Sequence, residues 1–474
     1  MRNRAGILDL VEDHSDDLVG LADRVWGMPE TLYAEYRSCA EHTAMLREKG
    51  FRVTENLCGI PTAVMGEAGE GGPVIAILGE YDALPGLSQV AGIAEPRPVE
   101  AGGNGHGCGH NLLGAASLLA ACAVRDWLAA SGVAGRVRYY GCPAEEGGAA
   151  KTFMVRDGAF DDVDAAITWH PDCMTRVDDP ASLANTRMDF TFLGRAAHAA
   201  AAPHLGRSAL DAVELMSVGV NYLREHAPQD ARIHYAYLDA GGRAPNVVQA
   251  RASVRYSIRA LQLADMLALV ERVRKVAEGA ALMTGTQVEA AMFTAVSNNL
   301  VNEVMDRTMH EVLEELGGVP FDDDDRAYAS AIQATLTAED IATAYRGVAL
   351  APRRDEPLCD YVVGLRPGGE IMIGSTDVSD VTWKVPTTEV LVATHAIGTP
   401  AHSWQTTAQG KSPAAHKGLI HAAKAMALCA ERLLAAPERL AAARAEHARR
   451  LALTPYVCPL APGLRPPLQP RPGE

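Results

Sequence analysis

Two rhythms of apolar positions run along the chain, and one gives way to the other near residue 185. In the first part, "GGPVIAILGEYDALPG" (71–86) is a continuous apolar, β-branched run ending in an acidic turn. That is the pattern of a parallel strand covered on both faces. "NLLGAASLLAACAVRDWLAASG" (111–132) has helical length and ends on glycine. "GRVRYYGCPAEEGG" (135–148) and "DVDAAITWHP" (162–171) read as strands running into polar loops. Strands alternating with helices at this spacing predict a three-layer αβα domain with a mostly parallel sheet.

After residue 185 the pattern changes to strict alternation in "TRMDFTFLGR" (186–195), then a helix in "GRSALDAVELMSVGVNYLREHA" (206–227). Two strands follow, "RIHYAYLDAGG" (232–242) and "PNVVQARASVRYSIRA" (245–260), then a second helix and a last strand, "TQVEAAMFTAV" (286–296). Strand, helix, strand, strand, helix, strand is a split βαβ, ferredoxin-like sandwich. The reading is therefore an α/β catalytic domain of residues 1–185 and 296–450, interrupted by a lid or dimerisation domain of 186–295. The proline-rich segment 451–474 is expected to be a mobile tail.

Composition narrows the function. A formal net charge of -16 argues against nucleic acid and anionic membranes as partners. The first thirty residues lack the apolar stretch of a signal peptide, and no window reads as a membrane span, so a cytoplasmic location is expected. Nine cysteines, an odd number at irregular spacing, read as reduced thiols.

Candidate chemistry gathers in three turns that follow predicted strands. "GNGHGCGHNLLG" (103–114) places His106, Cys108 and His110 on alternate positions before a helix; "PAEEGG" carries Glu145 and Glu146; "TWHP" carries His170. Alone, the first reads as a glycine-rich polar turn as readily as a metal site, the glutamates more readily as a solvated turn and His170 more readily as a satisfied strand-end histidine, and no second Cys/His pair follows at zinc-finger spacing. Their coincidence at one end of successive strands favours a site for zinc or manganese, built from thiolate, imidazole and carboxylate.

These motifs, with "WGMPE" (26–30), "GEYDALPG" (79–86), "GRAAHAAAAPHLGRSALDA" (194–212), "APNVV" (244–248), "GSTDVSDVTW" (374–383) and "GTPAHSW" (398–404), resemble the aminoacylase, carnosinase and carboxypeptidase G metallopeptidases. Within that family they are most similar to the branch of indole-acetyl-amino-acid hydrolases and aminobenzoyl-glutamate hydrolase, and there to the latter's B-type chains. The resemblance implies that Cys108, His110, Glu146, His170 and His402 ligate one or two divalent metal ions, zinc or manganese. His402 is preferred over His395 and His416 by its "PAHSW" context. Glu80 stands where many relatives outside the branch carry a ligand histidine. Asp82 would orient a ligand, and Glu145 would be the general base. His198 and Asn246 match positions that reach the site, the histidine often from a partner subunit. Arg259 matches a grip on the substrate carboxylate, and Asp377 and Asp380 lie in a loop that orients ligands or selects substrate. His106 is read as a residue that supports a ligand or as a simple turn residue, and not as a ligand itself.

The implied activity is a metallo-amidohydrolase acting on N-acyl or N-aroyl amino acids, aminobenzoyl-glutamate-like, or small dipeptides. The alternatives are a catalytically silent metal-binding subunit of a heteromeric hydrolase, and a hydrolytic deaminase of an aromatic amine. The implied assembly is a homodimer through the inserted domain, with a heteromeric partner as the other option.

Overall fold

The computed structural model describes residues 5–178, 181–353, 355–365 and 374–471. The first six strands are β1 (Arg52–Glu55), β2 (Val64–Glu70), β3 (Val74–Glu80), β4 (Gly135–Cys142), β5 (Ala165–Asp172) and β6 (Arg176–Val177). Four more, β7 (Ala184–Leu193), β8 (Arg232–Asp239), β9 (Arg251–Ala260) and β10 (Gln287–Val296), precede β11 (Thr387–Ala393).

The larger sheet has the order β1-β2-β4-β3-β5-β11-β6. Its four central strands are parallel, while β1, β2 and β6 join antiparallel at the edges. One face is covered by α1 (Ala5–Trp26), α3 (His110–Ser131) and α12 (Pro413–Ala435), which also pack on one another. α2 (Tyr36–Glu48) lies against the β1–β2 edge. The other face meets α4 (Ala150–Arg156) and α10 (Val378–Lys384). β3 explains its unbroken apolar run: Ile75 and Ile77 enter the first core, and Val74, Ala76 and Leu78 the second. A mixed αβα architecture results.

The four-stranded sheet is antiparallel throughout, in the order β10-β7-β9-β8, with α5 (Ala209–Leu223) and α6 (Leu263–Thr284) on one face. Met188, Phe190, Phe192, Tyr256 and Ile258 supply that face, as alternation in "TRMDFTFLGR" and "SVRYSIRA" requires. After β10 the chain returns through α7 (Glu303–Leu316), α8 (Asp323–Gln333) and α9 (Ala338–Gly347), then α11 (Trp404–Gln409) and α13 (Pro437–Leu453).

Two expectations are corrected. The proline-rich tail is laid down on the body of the protein over its described residues: Leu460 is buried, Tyr456 Oη donates to Asp380 at 2.8 Å, and Tyr36 Oη donates to the Gln469 carbonyl at 2.8 Å. A chain without its own elements can still follow an existing surface when side chains there take up its polar groups. Residues 472–474 lie outside the described part. Secondly, α3 is long and apolar enough to cross a membrane, with a mean hydropathy of 1.5, but 83% of that window is buried inside the fold. Its apolar character is that of a central core helix.

Candidate metal centre

β3, β4 and β5 run parallel, so their carboxyl ends open on one edge of the sheet. β3 ends at Glu80 and turns through Asp82, β4 leads into Glu145 and Glu146, and His170 lies near the end of β5. α3 opens with His110, and the residue before it, Gly109, has φ 79°. A Cβ on Gly109 would sit 2.9 Å from Pro171 Cγ, so glycine permits both the turn and the close approach of the Cys108 loop to β5. His402 comes from the turn before α11, tied by its N–H to the Gly107 carbonyl at 3.0 Å and held at φ 57°. A left-handed backbone at a residue with a Cβ is strained, and it brings the imidazole over the site.

Cys108 Sγ lies 3.4 Å from His170 Nε2, and His402 Nε2 lies 3.4 Å from Glu146 Oε1. Cys108, His110 and His170 offer ligand atoms all within 4.8 Å of one another, and Cys108, Glu146 and His402 do the same. The two sets share the sulfur. Glu80, His110 and Glu145 form a further set at the same spacing.

The surrounding hydrogen bonds choose which atoms are left free. His110 Nδ1 donates to Asp82 Oδ1 at 2.8 Å, and His170 Nδ1 donates to the Pro171 carbonyl at 2.9 Å, so each ring turns its Nε2 lone pair toward the cluster. Asp82 Oδ2 accepts from the Glu146 N–H at 2.9 Å and fixes that loop too. His110 Nε2 and Glu146 Oε1 are buried and make no well-formed hydrogen bond, having only the ion-pair neighbours Glu80 Oε2 at 3.3 Å and His402 Nε2 at 3.4 Å. Orphaned acceptors of this kind, beside a thiol and imidazoles, fit a borderline-soft divalent cation.

The field points the same way. Burial disfavours a charged His110, yet Cys108, Asp82 and Glu80 outweigh it and hold the imidazole well above its usual range. Positive charge is therefore welcome at this spot. Burial pushes the Cys108 thiol up, with Glu146 adding to the effect, so a thiolate here needs a cation beside it. The two glutamates diverge. Burial, then Glu80 and Glu146, raise Glu145 well above the carboxylate range. Burial would also raise Glu146, but His402 and His110 overcome it and bring the group to about 2. One carboxyl is thus suited to carrying a proton and the other to binding a cation.

All five sequence-predicted ligands except His110 line a cavity of about 940 Å³, which Glu145 and Arg259 also line. His110 lies beneath them, fully buried. Arg259 reaches across from β9, its Nη1 donating to Ser375 Oγ at 3.2 Å. Asp377 borders the cavity, and its oxygens accept from Lys151 Nζ at 2.7 Å and Lys151 N at 2.9 Å. Asp380 is likewise committed, to Ser297, Thr152 and Tyr456. His198 and Asn246 lie together on the exposed surface of the inserted unit and do not line this chain's cavity. His416 pairs with Asp23 at 3.0 Å and His106 with the Val25 carbonyl at 3.0 Å, both away from the cluster, whereas His395 reaches the cavity wall.

Neither Lys151 nor Arg187 is given a chemical role by the sequence reading. Lys151 is fully buried and bridges Glu80, at 2.5 Å, to Asp377. Arg187 Nη2 donates to the Glu146 carbonyl at 2.9 Å. Neither stands in a ligand-like pattern, and only the fold brings them to the site.

A three-layer α/β domain with a Cys/His/Glu cluster at its parallel strand ends, capped by an inserted split βαβ unit, defines a metallo-amidohydrolase of acyl amino acids. Residues 76–405 match the model of peptidase family M20/M25/M40, and the chain belongs to that family. It is 44% identical to the B-type chain of p-aminobenzoyl-glutamate hydrolase from Escherichia coli (strain K12), over 97% of each chain. It is 30% identical to the A-type chain of the same enzyme and organism, over 49% of this chain and 54% of that one. Among solved structures, a dinuclear metal-binding M20 peptidase of Bacillus subtilis shares the fold, with TM-score 0.56 at 19% identity over 90% of this chain and 99% of that one.

Proposed function

We propose that this chain cleaves the amide bond of N-acyl or N-aroyl amino acids, aminobenzoyl-glutamate-like compounds foremost, with small dipeptides within its range. One or two divalent ions, zinc or manganese, would be held by Cys108, His110, Glu146, His170 and His402. The observation that carries the reading is the pair of ligand sets sharing Cys108, on the wall of one cavity with Glu145 beside them. A cation bound there supplies Lewis acidity to the substrate carbonyl and acidifies water. Asp82 holds the His110 ring and the Glu146 loop in place. Glu145, raised and free of either shared set, takes the proton of the attacking water and returns it to the departing nitrogen. Arg259 grips the carboxylate of the amino-acid half.

The same reading includes pairing of two chains through the inserted unit. β8 is an open sheet edge bearing exposed Tyr235, Tyr237 and Leu238. Leu215, Val218 and Tyr222 form an exposed stripe on α5, with Tyr222 77% accessible. A second copy would cover both and bring His198 to the cavity across the interface. A homologous partner chain, of the kind the relatives' names indicate for their two-chain enzyme, would do the same.

The test is a panel of N-acyl and N-aroyl amino acids offered to protein reconstituted with zinc or with manganese. Release of the free amino acid is expected, and Glu145→Ala should lose roughly 10²–10⁴ of turnover while elemental analysis finds the metal retained. A panel left intact, ammonia as the product, or full activity in Glu145→Ala would overturn the proposal.

A further inference from the structure

β7 and β9 pair so that Asn185 faces Arg259, Arg187 faces Ser257 and Asp189 faces Arg255. These residues share the sheet face opposite α5 and α6, because alternate positions of a strand point the same way. That polar face turns to the metal centre: Arg187 and Arg259 line the cavity, and Arg187 also binds the Glu146 carbonyl.

The three arginines are treated differently by their surroundings. Arg255 is neutralised by a two-pronged contact with Asp189, at 2.6 and 2.8 Å, and lies 3.6 Å over the Phe293 ring. Arg187 and Arg259 hydrogen-bond only neutral groups, the Glu146 carbonyl for one and Ser257 and Ser375 for the other, while the Glu145 and Glu146 carboxylates act on Arg187 from beyond ion-pair distance. Among the described residues, no carboxylate stands within ion-pair distance of either. Burial, and then the charge of Arg187, lowers the pKa of Arg259. Two partly buried cations that repel each other are costly unless an anion completes them.

One carboxylate satisfies one of them. Every amino acid offers an α-carboxylate, for which Arg259 suffices, so Arg187 is surplus to the recognition of amino acids in general. Arg187 and Arg259 occupy diagonal positions on neighbouring strands, about 7 Å apart at the backbone. That spacing lets their forks converge on two carboxylates joined by a short carbon chain.

We propose that Arg187 is a specificity-determining residue that reads a second carboxylate, so that the preferred leaving amino acid is of the aspartate or glutamate class. The proposal rests on the hydrolase reading above, and its test separates the two. N-benzoyl-glutamate and N-benzoyl-glutamine are nearly isosteric and differ in the second charge alone. The unaltered enzyme should favour the glutamate compound in kcat/KM by on the order of tenfold or more. In Arg187→Gln, and in Arg187→Lys, which keeps the charge but loses the fork, that ratio should fall toward unity. A ratio near unity in the unaltered enzyme, or one preserved in both variants, would sink the inference. If neither compound is cleaved, the hydrolase reading fails, and calorimetric titration with glutarate still decides the role of Arg187. Glutarate should bind on the order of tenfold more weakly to both variants, and equal binding would refute the anion reader. Thermal midpoints of the variants establish that they are folded.

Discussion

Asp82 serves both sides of the cluster with one carboxylate, Oδ1 taking the His110 ring N–H and Oδ2 the Glu146 backbone N–H. In Asp82→Asn the amide nitrogen cannot accept, so one of the two groups loses its holder. Metal affinity is expected to fall 10–100-fold, read by competition with a chelating dye. Unchanged affinity would mean that His110 and Glu146 are held by packing alone. Of the proposed ligands, His402 is found only through its match to a family motif, whereas Cys108, His110 and Glu146 are legible in the sequence because glycines set them off in short turns after apolar strands. Lys151 is not: in "AAKTFMVR" it reads as a helix lysine in water, and nothing in that spacing says that Glu80 and Asp377 receive its ammonium. The bond that Asp377 makes to Lys151 is hidden for the same reason, since its partner lies 226 residues away.

Among the elements, the C-terminal segment depends most on its surroundings. Tyr456 bonds Asp380, which also accepts from Ser297, directly after β10, and from Thr152 in α4. Leu460 is buried in the second core. Deleting residues 454–474 should cost about 2–6 kcal/mol, one buried leucine and one or two hydrogen bonds. The checking measurement is the denaturant midpoint at constant slope, and an unaltered midpoint would show that the tail merely rests on the surface. Proline content correctly announces a segment without its own ladder of hydrogen bonds, but it does not reveal whether an acceptor such as Asp380 awaits it. The inserted unit is easier to read. Alternation in 186–195 and 251–260 fixes which face is buried, and the succession of strand and helix patterns along the chain gives the element order.

For the whole molecule, the distance of His198 from its own chain's cavity gives the proposed dimer a distinctive behaviour. His198→Ala and Glu145→Ala chains are each expected to be inactive as pure dimers. Mixed and allowed to exchange, they should regain about a quarter of the original turnover, because half of the randomly formed pairs contain one intact site. A mixture that stays inactive would place His198 outside catalysis or the interface elsewhere.

β8 has a consequence for handling this protein. Among the described residues it has no neighbour on one side, and such a strand, carrying tyrosines and a leucine in water, will add an extended chain that it meets. Dilution that separates proposed partners would leave two such rims bare, so clumping should appear on prolonged storage of weak solutions, and a soluble mate of either kind should suppress it.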